Sequence, residues 1–244
     1  MFGFFNENNL EITREDIIKI TGVNPVNVIY YQKAFIHKSV LRFLANQEEE
    51  SLRMSYERYE FLGDSVLNLV IASFVFHRYP NQDEGFLTRI RTKLVNGKTL
   101  AFLARKIELN KFLIISKNVE NIGGRNSDRF LEDILEAFIC SINLDMGFKY
   151  SEMFILNLIN KYIDFDELEE DTNYKDILLR RCQQTLQTNP EYELVDTSGP
   201  PHRKIFTSVV LIKGVKYSQG TSKTKKESEQ LASKLTLDKM DKIN

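Results

Sequence analysis

Two stretches of the chain carry acidic side chains at helical spacing beside apolar ones, the pattern from which a cation site can be built. In Glu57-Arg58-Tyr59-Glu60-Phe61-Leu62-Gly63-Asp64-Ser65-Val66-Leu67-Asn68 the acids Glu57, Glu60 and Asp64 recur three and four residues apart. On a helix they stack along one face, which is unfavourable unless something cationic is bound. Val66, Leu67, Leu69, Val70, Ile71 and Ala72 follow, so the acids border a buried stripe, where an unpaired charge is costly. Downstream, Asp133 and Glu136 share a face, while Ile134, Leu135, Phe138, Ile139 and Ile142 supply the core side. Brought together, Glu60, Asp64, Asp133 and Glu136 would offer oxygen donors to one or two Mg²⁺ ions, whose charge cancels the repulsion among the acids. Two such ions, typically about 3.5–4 Å apart, hydrolyse phosphate esters: one activates a bound water, the other stabilises the leaving oxygen. Spacing alone leaves open the alternative of unconnected surface acids on two amphipathic helices.

Those acids need helices to carry them. Apolar periodicity predicts helices over 12–21, opened at Thr13-Arg14-Glu15-Asp16, and over 28–45, with Pro25 between them. A long helix is expected from 57 to 78, ended by Tyr79-Pro80, and another from 86 to 107 after the turn at Asp83-Glu84-Gly85. Arg89, Arg91, Lys93 and Lys98 decorate that second helix and read as a solvated face. A polar loop over 118–128 precedes the helix of Asp133 and Glu136. His37, in Ala34-Phe35-Ile36-His37-Lys38-Ser39, reads as a histidine packed at a helix end and bonded to backbone, since no other ligand stands at metal spacing. Glu132 falls on a different helix face from Asp133 and most simply faces water.

The 244 residues suffice for one large domain or two ordinary ones, and 42% hydrophobic content is that of a globular protein. The net charge of −1 conceals an asymmetry: residues 1–170 hold 20 Lys+Arg and 25 Asp+Glu, a net −5, and residues 171–244 hold 13 and 9, a net +4. A basic module attached to an acidic one suits a polyanion-binding appendage on a cation-binding body. Cys140 and Cys182 have no paired spacing, which predicts free thiols in a reducing compartment rather than a disulfide or zinc framework. With no signal peptide and no apolar run near ~18 residues, a soluble, intracellular, cytoplasmic protein without a membrane partner is expected.

The motifs resemble those of the ribonuclease III family. Glu57 to Leu67 is similar to the family signature, and Ala34 to Ser39 resembles its Ala-Phe-x-His-x-Ser segment. Asp83-Glu84-Gly85 through Leu94-Val95 and Leu100-Ala101, and Asp133-x-x-Glu136-Ala137 followed by Leu144-Asp145, fit in order. The resemblance implies an all-helical endonuclease domain that cuts double-stranded RNA with Mg²⁺, Mn²⁺ substituting, and leaves 5′-phosphate, 3′-hydroxyl and short 3′ overhangs. It implies Glu60, Asp64, Asp133 and Glu136 as the catalytic and metal-binding residues. Glu57 and Glu84 match two further family acids concerned with positioning RNA. It also implies a homodimer, with Phe61 as a candidate dimer contact beside an ordinary core role, and no nucleotide cofactor. The chain departs from the family at Glu132, where a small residue is usual, and at Cys140, where glycine is usual.

Beyond the acidic run 164–173 the pattern changes to a helix over 174–187, strands near 192–196, 205–212 and 215–222, and a helix over 225–240. This α-β-β-β-α order, with Gly199-Pro200-Pro201-His202 between the first two strands and Gly220 to Gln230 opening the last helix, resembles a double-stranded RNA-binding domain. Lys223, Lys225 and Lys226 lie where a helix N-terminus favours phosphates across the narrow A-form major groove. The likeness implies minor-groove contacts from the first helix and from His202. Leu179 stands where many of these domains place a glutamine, leaving Gln183 one turn on as the candidate.

The expected architecture is therefore multidomain: an all-α ribonuclease III domain over 1–165, an acidic linker over 166–172 and an α+β RNA-binding domain over 173–242. A double-stranded RNA endoribonuclease is the reading adopted. Its rival is a catalytically idle protein that binds and sequesters double-stranded RNA; retained carboxylates facing phosphates argue against that. A helical scaffold with a DNA-binding tail would need base-reading features that the C-terminal part lacks.

Overall fold

Thr13 starts the first helix, α1 (Arg14–Thr21), through a reciprocal cap in which its hydroxyl accepts from the Asp16 N–H and the Asp16 carboxylate accepts from the Thr13 N–H. This is a computed structural model, and it describes residues 9–41, 54–169, 173–200 and 203–242. The second helix, α2 (Val28–Lys33), is shorter than the periodicity predicts. Ile36 leaves it to form a parallel bridge with Ile114, and a 3-10 turn over Lys38–Val40 follows. The remainder of that predicted helix, 42–45, lies outside the described residues. Asp145 caps α2 from afar, accepting from the backbone N–H groups of Val26 and Asn27 and from the Tyr31 hydroxyl.

The long helix α3 (Glu57–Arg78) has the expected ends. It is long and apolar enough on average to cross a membrane, but Val66, Leu67, Val70, Ile71 and Val75 are buried in the core of the first unit. The single helix predicted over 86–107 is two helices, α4 (Glu84–Val95) and α5 (Gly97–Lys106). Asn96 breaks it: its backbone is extended, at ψ 153°, and its side chain accepts from the Thr99 N–H, so it caps α5. The polar loop holds a short helix α6 (Lys117–Asn121) and is fastened by Arg125. That guanidinium pairs with Glu120 and donates to the carbonyls of Asn110 and Leu113.

Helix α7 (Asp128–Met146) is apolar on nearly every side from Leu131 to Ile142 and is buried accordingly, with the other helices around it. Phe138 on α7 meets the rings of Tyr31, Phe35 and Phe154. Helix α8 (Phe148–Tyr162) follows, and then α9 (Phe165–Glu169). The last lies in the acidic run expected to be linker. Phe165 and Leu168, three apart, pack on the core of the first unit, and Lys93 donates to the Leu168 carbonyl at 2.8 Å.

The chain divides into two units, Met1–Leu168 and Glu169–Asn244. In the second, α10 (Tyr174–Leu186) and α11 (Lys225–Asp241) accompany an antiparallel sheet of β1 (Glu191–Ser198), β2 (Ile205–Ile212) and β3 (Val215–Ser222), in the order β1-β2-β3. Leu178, Cys182, Val210, Ile212, Ala232 and Leu237 form its small core. Both cysteines, Cys140 and Cys182, are free and buried.

One contact fixes the first unit. A Cβ on Gly63 would sit 1.8 Å from the Glu136 carbonyl oxygen, so α3 and α7 cross backbone to backbone there. No residue larger than glycine fits without parting the helices. Gly63→Ala is expected to destabilise the chain by about 3 kcal/mol or more, the upper end for overpacking, in urea unfolding. A loss below about 0.5 kcal/mol, the range of ordinary surface changes, would contradict so tight a crossing.

Candidate active site

The Gly63–Glu136 crossing decides which acids meet. Glu60 and Asp64 flank Gly63 on α3, and Asp133 and Glu136 lie on the facing stretch of α7. Their mutual influence is visible in their acidities. Glu136 is only 7% exposed; burial pushes its carboxyl up to about 9, with Asp64, Glu132, Glu60 and Asp133 adding to the rise. Burial raises Glu60 to about 7, aided by Asp133 and Glu57 and opposed by Arg129. Asp133 is raised by burial as well, against the opposing effects of the Tyr56 hydroxyl and Arg129.

Glu132 joins this group instead of simply facing water. Burial raises its carboxyl, and Asp133 and Asp64 raise it further. Its side chain abuts Gly97, where an added Cβ would lie 2.3 Å from Oε2, so the first residue of α5 has to be small to admit it. The face assignment from α7 alone could not include the neighbouring helix that covers that side.

Among the described residues no three His, Cys, Asp or Glu side chains are already gathered to hold a metal ion. Asp64 accepts from the Asn68 amide at 2.6 Å, and Asp133 accepts from the Tyr56 hydroxyl at 3.1 Å. In kind the donors fit a hard divalent cation: several carboxylates, of which Glu60, Asp133 and Glu136 are made harder to ionise by burial and, for Glu60 and Glu136, by their acidic neighbours as well. Closing the set requires the Asp64 side chain to turn from Asn68.

Beside the acids lies a cleft of about 370 Å³ lined in part by Lys38, Tyr56, Glu57, Glu60, Arg129 and Asp133. Lys38 pairs with Glu57 at 2.6 Å, and Arg129 is exposed. His37 has the structural role expected of it. Its Nδ1 accepts from the Ser39 N–H at 3.1 Å, and its ring stands 4.7 Å from that of Phe130. Sequence reasoning missed Tyr56, Lys38 and Arg129 as parts of this cleft. Arg129 was detectable, four residues before Asp133 on one helix face; nothing local marks Tyr56.

One named residue, Glu84, stands apart from the acids. Glu84 opens α4 beyond the far end of α3, where it accepts from the Thr88 hydroxyl. The 18 residues from Glu60 to Arg78 alone span about 27 Å at the α-helical rise. Phe61 is 78% exposed, so it has no core role within its own chain.

In the second unit Lys223, Lys225 and Lys226 are exposed at the start of α11. Thr224 caps that helix by accepting from the Glu227 N–H, and Lys225 lies 3.9 Å from Glu229. Gly220 holds β3 against α11, since a Cβ there would come within 2.3 Å of the Ser228 carbonyl oxygen and the Ala232 nitrogen. Gln183 is exposed on α10 and donates to Asn189 at 3.1 Å. His202 lies outside the described residues.

The raised acids fix a pH dependence. Folding without a cation takes up protons between the ordinary glutamate value of 4.5 and about 9 for Glu136, so their contribution to stability falls as pH rises through that window. The metal-free chain is therefore expected to lose stability in urea between about pH 5 and pH 9, with Glu136→Gln flattening the loss. Equal slopes for the two proteins would contradict the raised value.

Comparison with known proteins identifies the family of each unit. Residues 29–163 match the family described as Ribonuclease-III-like, and residues 174–240 match the double-stranded RNA binding motif. Ribonuclease 3 of Staphylococcus epidermidis is 34% identical over 92% of this chain and 90% of its own length. Ribonuclease 3 of Chlorobaculum tepidum is 36% identical over 94% and 84%. The nuclease domain of ribonuclease III from Campylobacter jejuni superposes with a TM-score of 0.55 and 32% identity, covering 62% of this chain and 99% of that one. A helical unit built on paired acidic helices, followed by an α-β-β-β-α unit, with both parts matched over nearly their whole lengths, makes this chain a member of the ribonuclease III family of endoribonucleases.

Proposed function

We propose that the chain cleaves double-stranded RNA in a Mg²⁺-dependent reaction, with Mn²⁺ as a substitute, leaving 5′-phosphate, 3′-hydroxyl and short 3′ overhangs. The observation that carries this reading is the α3–α7 crossing, which couples Glu60, Asp64, Asp133 and Glu136 electrostatically. A divalent cation bound there supplies an activated water and charge stabilisation for the leaving oxygen. The chain's own part is to present the acids, shed the protons held by Glu136 and Glu60 when a cation arrives, and keep the site partly dry. Lys38 and Arg129 place positive charge at the cleft where RNA phosphates would pass, and Glu57, tied to Lys38, orients that lysine.

The second unit serves substrate choice. Lys223, Lys225 and Lys226 would reach phosphates across the major groove, and Gln183 and His202 the minor grooves on either side, so that A-form shape is read rather than sequence. The active form is a homodimer. Phe61, Leu69 and Phe76 are 78%, 60% and 64% exposed and share one face of α3, an apolar stripe that a second copy would cover. The Campylobacter jejuni nuclease domain is described as having a region involved in dimer formation. An antiparallel pairing of the two α3 helices would also carry each Glu84 toward the other copy's acids, from which it is remote in its own chain.

Incubation with long double-stranded RNA, with and without Mg²⁺, followed by end-group analysis tests this reading. Cleavage in Mg²⁺ with 5′-phosphate ends is expected. Glu136→Ala or Asp64→Ala should lose it by roughly 100-fold or more, while RNA retention stays near that of the unaltered chain. RNA bound but intact in Mg²⁺ would favour the idle binder. Undiminished cleavage by either variant would remove these carboxylates from the reaction.

A further inference from the structure

We infer that Tyr56 is a positioning residue for Asp133: its hydroxyl, held by a fixed phenol ring, presets the orientation of that carboxylate for cation binding. This rests on the metal-site reading above and adds to it a residue whose type and place gave no sign of such a role.

Tyr56 is 2% exposed and is anchored on several sides. Its backbone N–H donates to the Ile36 carbonyl at 2.9 Å, and its own carbonyl accepts from the N–H groups of Tyr59 and Glu60 at 2.8 and 2.9 Å. Its ring lies 5.7 Å from that of His37. His37 is itself held, because its N–H donates to the Ile114 carbonyl and its Nδ1 accepts from Ser39. The parallel bridge between Ile36 and Ile114 closes this frame. The phenol therefore has little freedom to follow Asp133, and its 3.1 Å bond to Oδ2 makes Asp133 the partner that conforms.

The consequence is asymmetric. With Oδ2 held by a neutral donor, Oδ1 is the oxygen that would ligate a cation. Asp133 also escapes part of the rotamer freedom that ligation would otherwise have to remove. Ligating carboxylates are commonly oriented by such hydrogen bonds, and losing one typically weakens metal affinity 10- to 100-fold. A ring without the hydroxyl would keep the packing against His37 and lose only the restraint.

The test is Mn²⁺ titration of the full chain, with the free ion followed by its electron paramagnetic resonance signal. Tyr56→Phe is expected to weaken Mn²⁺ binding roughly 10-fold and to raise by a similar factor the Mg²⁺ needed for half-maximal cleavage. Its fold should persist with the small stability loss of one missing hydrogen bond, its metal-free RNA binding should stay near that of the unaltered chain, and its rate should recover at saturating Mg²⁺. A role exerted through Asp133 further requires that Tyr56→Phe cost little once Asp133→Asn is present. Unaltered Mn²⁺ affinity in Tyr56→Phe, with Asp133→Asn weakened, overturns the positioning role alone. So does a loss that adds in full to that of Asp133→Asn. Unaltered affinity in Asp133→Asn removes the metal-site reading and the positioning role with it.

Discussion

The backbone contact between Gly63 and Glu136 is the constraint on which the first unit depends. Two helices that meet without side chains between them have their axes fixed by hard-sphere contact, and the residues beside the crossing are brought together whatever their charge. Here those residues are acids. The same closeness that lets α7 bury Leu135, Phe138 and Ile139 in the core drives Glu136 to 7% exposure. The candidate site is a by-product of this close approach, and helices, rather than loops, determine its precision.

That arrangement sets stability against function. In the absence of a cation, burial and mutual repulsion hold protons on Glu136 and Glu60 that free carboxyls would have lost. The apolar core of α3 and α7 offsets this, with Val66, Leu67, Val70 and Ile71 packed against the inner face of α7. A divalent cation bound at the proposed site would relieve the repulsion directly, so that binding and folding would favour each other. Around the acids the frame built by Ile36, His37, Tyr56 and Ile114 holds the cleft wall, and it draws on residues nearly eighty positions apart in the chain.

What was legible in the sequence follows from how local each signal is. The ends of α3 are declared by Glu57 and by Tyr79-Pro80, and the α-β-β-β-α order by alternation and turn residues; both were readable. Helical spacing beside an apolar stripe marked Glu57, Glu60, Asp64, Asp133 and Glu136 as candidates, and only the resemblance to the ribonuclease III family narrowed them to four. The break at Asn96 was hidden, since apolar periodicity continues across it and only the cap on Thr99 reveals it. The early end of α2 depends on the Ile36–Ile114 bridge, which no window of local sequence contains. Tyr56 and Asp133 are 77 residues apart and meet only because the chain folds. Glu132 was misplaced for the same reason, its neighbour Gly97 belonging to another helix.

The most direct test of a cation site at the α3–α7 crossing is a crystal of the full chain soaked in Mn²⁺ and measured for anomalous scattering. A peak in direct ligation with carboxylates of Glu60, Asp64, Asp133 and Glu136, and absent from Glu136→Gln, is the expected result. Full occupancy at some other place, with Asp64 still turned toward Asn68, would contradict it.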